Sequence, residues 1–307
     1  MNLKKGDIID IISPASPISR EELHKITQFL DGKGLKARFF MEKELALDTK
    51  PTNLFPVADA EIRFKQLEMA LASDSNAIWY ARGGYGSADL IPFLKTDREK
   101  LQDKHFIGFS DATALAIFLQ QNWHWEIIYA PMLTQLAFGK VSKKSINAIF
   151  TLLFCEEYSL EYDILTQNSD KRIEGILVGG CLSVIMQSLG TVNQIDWHDK
   201  ILFLEDIDES GEKIDRYFTQ ILQIMKYQNS EPKAILLGNF AQNVRDLQKK
   251  SNIKQAIAGF TKKIAENGLE IALFEEKSQC LGHTKNMMPL VIGTEVEIYD
   301  NRLVIKN

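Results

Sequence analysis

The chain of 307 residues is long enough for one large α/β domain or two of ordinary size, and either would bury a substantial core. Its 45% hydrophobic and 25% charged residues exclude a disordered protein, and a formal charge of −5 argues against a general nucleic-acid binder, which carries a basic surface or stripe. Cys155, Cys181 and Cys280 are an odd number without paired spacing, so neither a disulfide framework nor a zinc site is expected, no cofactor is called for, and a reducing compartment fits.

The first residues, "MNLKKGDIIDIIS", lack the long apolar run and small-residue cleavage site of a signal peptide, and no segment reaches the length needed to span a bilayer. A cytoplasmic protein without membrane association is the expectation. "DIIDIIS" reads as a buried strand and "SREELHKITQFLDGKG" as a helix ending in glycine. "AEIRFKQLEMALASDS" is a second amphipathic helix, followed by the strand "AIWYA", a glycine turn, the strand "KHFIGFS" and the helix "DATALAIFLQQ". Strand and helix in alternation predict a mainly parallel sheet.

Between residues 139 and 172 the pattern loosens, which places a domain boundary at about residue 165 and predicts domains 1–165 and 166–307. Beyond it, "GILVGG", "KILFLED", "KAILLGNF" and "LEIALFE" read as strands separated by helices, and "PLVIGTEVEIYDNRLVI" as a final β-type segment. The second domain is therefore also α/β, of mixed type.

Ligands of open α/β sheets bind beyond the carboxyl ends of the strands, so the polar residues just after each strand are the candidates. Ser110 follows "HFIGF" and precedes a helix. A nucleophile elbow needs small residues two positions either side of its serine, here Gly108 and Ala112, and it sets the hydroxyl near a positive helix end. The other reading of Ser110 is an ordinary helix N-cap.

"ARGGYGSADL" brings Gly83, Gly84 and Gly86 to the end of another strand, where backbone N–H groups could meet an anion. Asp89 stands where a dinucleotide fingerprint needs its third glycine, so an oxyanion-hole donor or a plain tight turn remain as readings. In "ILFLEDIDESGEKIDRYF", Asp206, Asp208, Ser210 and Gly211 begin a calcium-loop pattern, but Lys213 and Tyr217 break it, and no metal is expected. Glu205 is the first polar residue after that strand. Of five histidines, only His283 lies in a polar loop between β-type segments, with Gly282 before it. An activated serine needs a base, and the base an orienting carboxylate; Ser110, His283 and Glu205 supply one of each.

The ordered motifs "RGGYGSADLIPFL", "IGFSDATAL", "LVGGCLSVI", "ILFLEDIDESGEKIDRYFTQI" and "GHTKNMMPLVIGTEVEI" resemble the LD-carboxypeptidases of the serine peptidase type, which include murein tetrapeptide carboxypeptidases and microcin C immunity peptidases. The resemblance implies a flavodoxin-like N-terminal domain carrying Ser110 and a swivelling β/α C-terminal domain carrying Glu205 and His283. It implies Ser110 as nucleophile, Glu205 as orienting acid, His283 as general base, the N–H groups of Gly84 and Asp111 as oxyanion hole, and a homodimer. The implied substrate is murein tetrapeptide, cleaved to D-alanine during cell-wall recycling, or a microcin-like peptide–nucleotide conjugate. Arg82, beside the glycine turn, is the candidate partner for the substrate carboxylate. Three departures from the family pattern stand in or near the motifs: Cys181 in place of asparagine, Ala130 in place of glycine, and Asp208 where glycine is common. The rivals are an α/β-hydrolase-type esterase, which shares the order Ser, Glu, His, and a non-catalytic nucleotide or phosphosugar binder built on the glycine turns.

Overall fold

A computed structural model describes residues 2–49, 55–56, 58–96, 102–155, 157–166, 172–240 and 245–306. They form two compact units: the chain up to Tyr158 with Lys285–Val291, and Ser159–Thr284 with the residues from Ile292 onward.

In the first unit, β1 (Ile8–Ile12) is a run of isoleucines and one aspartate whose last four residues are buried, as a strand covered on both faces requires. A small ladder joins β2 (Ile18–Ser19) to β4 (Ala46–Leu47). Helix α1 (Arg20–Asp31) starts at Ser19, whose side chain and that of Glu22 form a reciprocal capping box, and it turns Leu23, Ile26 and Leu30 inward. Then follow β3 (Lys36–Arg38), α2 (Glu42–Leu45), α3 (Ala60–Ala72), β5 (Ala77–Tyr80), β6 (His105–Gly108), α4 (Thr113–Trp123), β7 (Ile127–Tyr129), α5 (Leu133–Ala137) and α6 (Lys143–Phe154). Short 3₁₀ turns occupy Ser87–Phe93 and Ser110–Ala112.

The main sheet has the order β3-β1-β5-β6-β7, with Leu290–Ile292 (β13, counted along the whole chain) beyond β7. The pairs β1–β3, β1–β5, β5–β6 and β6–β7 are parallel, so these strands end at one edge of the sheet. The chain spreads to one side of β1 for β3 and to the other for β5 onward. At such a reversal the loops after the two diverging strands leave a crevice, and here those are the loops after β1 and β5.

The second unit is a closed barrel. Its parallel arc is β9 (Ile173–Cys181), β10 (Ile201–Glu205), β11 (Ala234–Leu237) and β12 (Ala272–Glu276). Antiparallel β8 (Ser159–Thr166), β14 (Glu295–Tyr299) and β15 (Arg302–Lys306) close it. Helices α7 (Leu182–Ser188), α8 (Gly211–Gln228) and α9 (Leu247–Glu266) complete the unit. Phe218 of α8 and Phe260 of α9, both fully buried, stack with ring centroids 4.0 Å apart.

Two boundaries differ from the sequence reading. The second unit begins at Ser159, not near residue 165, because "SLEYDILT" forms a barrel strand with Tyr162 and Ile164 turned inward. The final β-type segment is cut at Gly293, which adopts φ +92°: Leu290–Ile292 stay with the first sheet, and the rest makes a hairpin turning at Asp300 and Asn301, both at positive φ.

Candidate active site

Within the first unit, Ser110 sits directly after β6 and Phe109, with φ +58°. Left-handed backbone costs a non-glycine residue about 1–3 kcal/mol and persists only where surrounding structure imposes it. The cap reading of Ser110 is not what forms: the N-cap of α4 is Ala112, without a side-chain cap hydrogen bond. The turn is tight enough that a Cβ on Gly108 would lie 2.9 Å from the Ala112 Cβ and 3.0 Å from the Tyr80 ring. That is the steric reason for small residues on both sides of the serine.

The glycine turn after β5 lies against this serine. A Cβ on Gly83 would stand 3.6 Å from the Ser110 Oγ, and Gly84, at φ +122°, has the Ser16 Oγ where its own Cβ would be. The Ser16 N–H donates to the Gly83 carbonyl at 3.4 Å, tying the loop after β1 to the turn after β5. Arg82 is a quarter exposed, and its guanidinium already meets the Glu22 carboxylate at 3.2 Å and the Pro17 carbonyl at 3.3 Å.

Beneath the turn, Asp111 is buried and its carboxylate accepts the Ser87 N–H at 2.9 Å. Burial pushes its pKa up, against the pull of hydrogen bonds from the Ser87 side chain, the Ser87 and Gly86 backbone, and the charge of Arg63. Arg63 is buried as well. It donates to the carbonyls of Pro14, Gly86 and Ala58 and pairs with Asp89 at 2.8 Å.

In the second unit the structure brings Glu205 and His283 together. Glu205 ends β10 fully buried, and its Oε2 accepts the His283 backbone N–H at 2.9 Å and the ring Nδ1–H at 2.7 Å. A carboxylate only accepts, so Nδ1 carries the proton and Nε2 is left as the basic nitrogen. Gly282 permits this approach: at φ +99° it lies where a Cβ would fall 2.3 Å from the Glu205 Oε2. Burial opposes the imidazolium, but the charge and hydrogen bond of Glu205, with Asp206 and Asp208, outweigh it, and the His283 pKa is raised. The Asn239 amide donates to the His283 carbonyl at 2.8 Å, fixing the loop from the end of the next strand.

Asp206 turns away from the loop of acids and accepts the N–H groups of Ser183 and Ile207, each at 2.8 Å. Burial, and then the Glu205 charge, push its pKa up to about 6. Cys181, the departure from asparagine, is buried against Asp206, and burial raises its thiol pKa well above the ordinary value, which makes it an inert thiol. Among the described residues no group of three or more His, Cys, Asp or Glu side chains is placed to hold a metal ion. Also among the described residues, no helix is long and apolar enough to cross a membrane.

Sequence reasoning missed Arg63, Asn239 and the side chain of Asp111. Asn239 had a readable signal, since it is a polar residue at the end of "KAILLGNF". Arg63 had none, because an arginine in an amphipathic helix reads as solvent-facing.

Residues 9–130 match the model of the LD-carboxypeptidase N-terminal domain, and residues 174–298 that of the C-terminal domain. The chain belongs to the LD-carboxypeptidase family. It is thereby one of a family of hydrolases acting on peptides. This LD-carboxypeptidase is 31% identical over 254 residues to a Rickettsia conorii protein that carries a carboxypeptidase name, covering 81% of this chain and 76% of that one. It is 32% identical over 224 residues to the probable murein peptide carboxypeptidase of Bacillus subtilis, covering 71% and 68%. Its fold matches the crystal structure of an MccF-like protein from Bacillus anthracis with a TM-score of 0.80 at 21% identity, over 99% of this chain and 98% of that one.

Proposed function

We propose that this protein is a serine-type LD-carboxypeptidase that releases the terminal D-alanine from murein tetrapeptide in cell-wall recycling. The observation that carries the reading is the Glu205–His283 pair, a buried carboxylate fixing an imidazole by its Nδ1 at 2.7 Å, in a chain that also holds Ser110 at φ +58° after a strand. The murein peptide carboxypeptidase name of the Bacillus subtilis relative supports the substrate class.

In this reading the His283 Nε2 takes the proton of the Ser110 hydroxyl as its Oγ attacks the carbonyl of the L,D amide. The N–H groups of Asp111 and Gly84 hold the oxyanion. His283 returns the proton to the departing D-alanine nitrogen, and water, deprotonated by the same base, releases the acyl group from Ser110. Arg82 faces the peptide carboxylate in competition with Glu22. The first unit is read as flavodoxin-like, supported by a strand order that reverses at β1, and the second as the swivelling domain. A homodimer in solution and recovery with the cytoplasmic fraction are the accompanying expectations.

A second reading, an immunity peptidase cleaving microcin-like conjugates, is favoured by the fold match to the MccF-like protein. One experiment separates the two. Wild type and Ser110→Ala are incubated with murein tetrapeptide, its all-L counterpart and a peptidyl nucleotide, and release of D-alanine or nucleotide is followed by mass spectrometry. D-alanine from the D-terminal peptide alone, reduced by several orders of magnitude in Ser110→Ala, is the expected result. Equal activity of Ser110→Ala would overturn the nucleophile assignment, and release from the conjugate alone would move the protein to the second reading. In the same assay Arg82→Ala is expected to raise KM with kcat little changed; an unchanged KM removes Arg82 from the site.

A further inference from the structure

We propose that the Asp111 side chain, backed by Arg63, is the positioning device of the nucleophile turn, locking the loops after β1, β5 and β6 into one block that sets the oxyanion-hole donors relative to Ser110. The proposal rests on the reading of Ser110 as nucleophile, and it concerns atoms that this reading leaves unused.

Asp111 works in two directions. Its backbone is the residue next to Ser110, while its carboxylate points inward and accepts the N–H of Ser87, which begins the 3₁₀ turn directly after Gly86. The serine's own turn is thus tied by one side chain to the glycine turn that carries Gly84. The Tyr80 hydroxyl closes the network by donating to the Ser87 Oγ at 3.2 Å.

Arg63 extends the tie to a third loop. Its Nη1 donates to the carbonyls of both Pro14 and Gly86, so the loop after β1 and the turn after β5 share one nitrogen. Ser16, on the same loop as Pro14, fills the space beside Gly84. Removing the guanidinium would free both loops at once.

A buried carboxylate is a costly way to hold two loops if stability were the only gain, because burial disfavours its charge and an apolar filler of similar volume often does as well. It does bring directional hydrogen bonds, which apolar packing lacks. Oxyanion stabilisation depends on donors being fixed within a few tenths of an ångström before the reaction begins. A merely structural Asp111 would change the unfolding transition and leave the kinetics of folded enzyme alone.

The test uses the full-length protein. Asp111→Asn keeps the shape but removes the charge and replaces one of the two accepting oxygens by an N–H₂ donor, so the carboxylate's bonds from Ser87 and Gly86 are no longer all made. Its kcat for D-alanine release is expected to fall about 100-fold with KM within about threefold of wild type, in protein that still unfolds cooperatively. Asp111→Glu, which keeps the acceptor, is expected to recover part of that loss. A folded Asp111→Asn with wild-type kcat overturns the proposal. Should Asp111→Asn fail to fold, Arg63→Met, which keeps an unbranched side chain but has no N–H to donate to Pro14 or Gly86, takes its place: a selective loss of kcat supports the proposal, and a wild-type kcat overturns it.

Phosphonylation by a fluorophosphonate separates this inference from the substrate assignment: the Ser110 Oγ bonds to phosphorus, fluoride leaves, and the base takes the proton. If wild type is labelled at Ser110 but releases no D-alanine, the substrate reading fails and the labelling rate takes over as the readout. A rate at least tenfold lower in Asp111→Asn then supports the positioning role, and an equal rate overturns it. If wild type is neither labelled nor active, the reading of Ser110 fails and this inference falls with it.

Discussion

Ser110 in the first unit is held by its backbone, whereas Glu205 and His283 in the second are held by each other. The serine's place is imposed by a strand end, a left-handed φ and close contacts at Gly108 and Ala112. The dyad rests on one carboxylate oxygen that accepts both the backbone and the ring N–H of His283. Backbone-held groups are sensitive to volume and φ and indifferent to pH. The charge-held pair also needs a small residue at Gly282, but unlike the serine turn it responds to pH, so the two regions should answer differently to the same change of pH.

The largest difference should come from Glu205→Gln. The substitution keeps an acceptor near Nδ1 but removes the charge, and with Glu205 as the proposed orienting acid kcat is expected to fall by roughly 10³-fold or more. The pH profile carries the sharper information. As the proposed base, His283 would act only when neutral, so activity is expected to be lost as pH falls through its pKa, which Glu205 raises against burial. With that charge gone, burial dominates and the pKa drops. The acidic limb of kcat should therefore move to lower pH, and a limb that stays in place would break the assignment of His283 as base. The same raised pKa contributes stability that is present below the unfolded histidine value, about 6.5, and is lost as pH rises through the folded one.

Gly84→Ala should give a smaller loss of about 100-fold, because it displaces one proposed oxyanion donor while the dyad is untouched. The added Cβ meets the Ser16 Oγ, and alanine is strained at φ +122°. The acidic limb should not move. A shifted limb would mean that the donor turn and the base are coupled, and the contrast between backbone-held and charge-held groups would lose its force.

On both sides of this comparison the candidate residues are legible in the sequence and the residues that support them are not. Ser110, Glu205 and His283 are singled out as candidates by asking which polar residue follows each strand or sits in a polar loop, and the parallel sheet by the alternation of short apolar runs with amphipathic helices. What supports them is not found that way. Arg63 and Gln66 lie on the buried face of α3 among Leu67, Ala70 and Leu71, where pattern reading places only apolar residues. The Gln66 Oε1 accepts the Ser13 N–H at 2.8 Å, satisfying a buried backbone donor at the end of β1. Such contacts join residues far apart in the chain, and no local propensity encodes them. Barrel closure is hidden for the same reason: β8, β14 and β15 show ordinary alternation, and only the register of Arg302 opposite Asp163 reveals that they pair.

Asp206 offers the smallest and most specific test of the charge-held region. Its carboxyl is buried beside Glu205, and its pKa is raised from 3.8 to about 6. The folded state therefore binds a proton that the unfolded chain has already released, and Asp206 favours folding less and less as pH rises from about 4 to about 6. Two pKa units at about 1.4 kcal/mol each put the change at no more than about 3 kcal/mol. Asp206→Asn cannot titrate, and it also disturbs the bonds to Ser183 and Ile207, so its absolute stability is not informative. The difference between the two proteins is. Measured by denaturant unfolding between pH 4 and pH 7, wild type should lose stability relative to the variant, with the change centred between pH 4 and 6. A constant difference across that range would mean that Asp206 stays ionised throughout, and that the helix start at Ser183 compensates its charge more fully than burial penalises it.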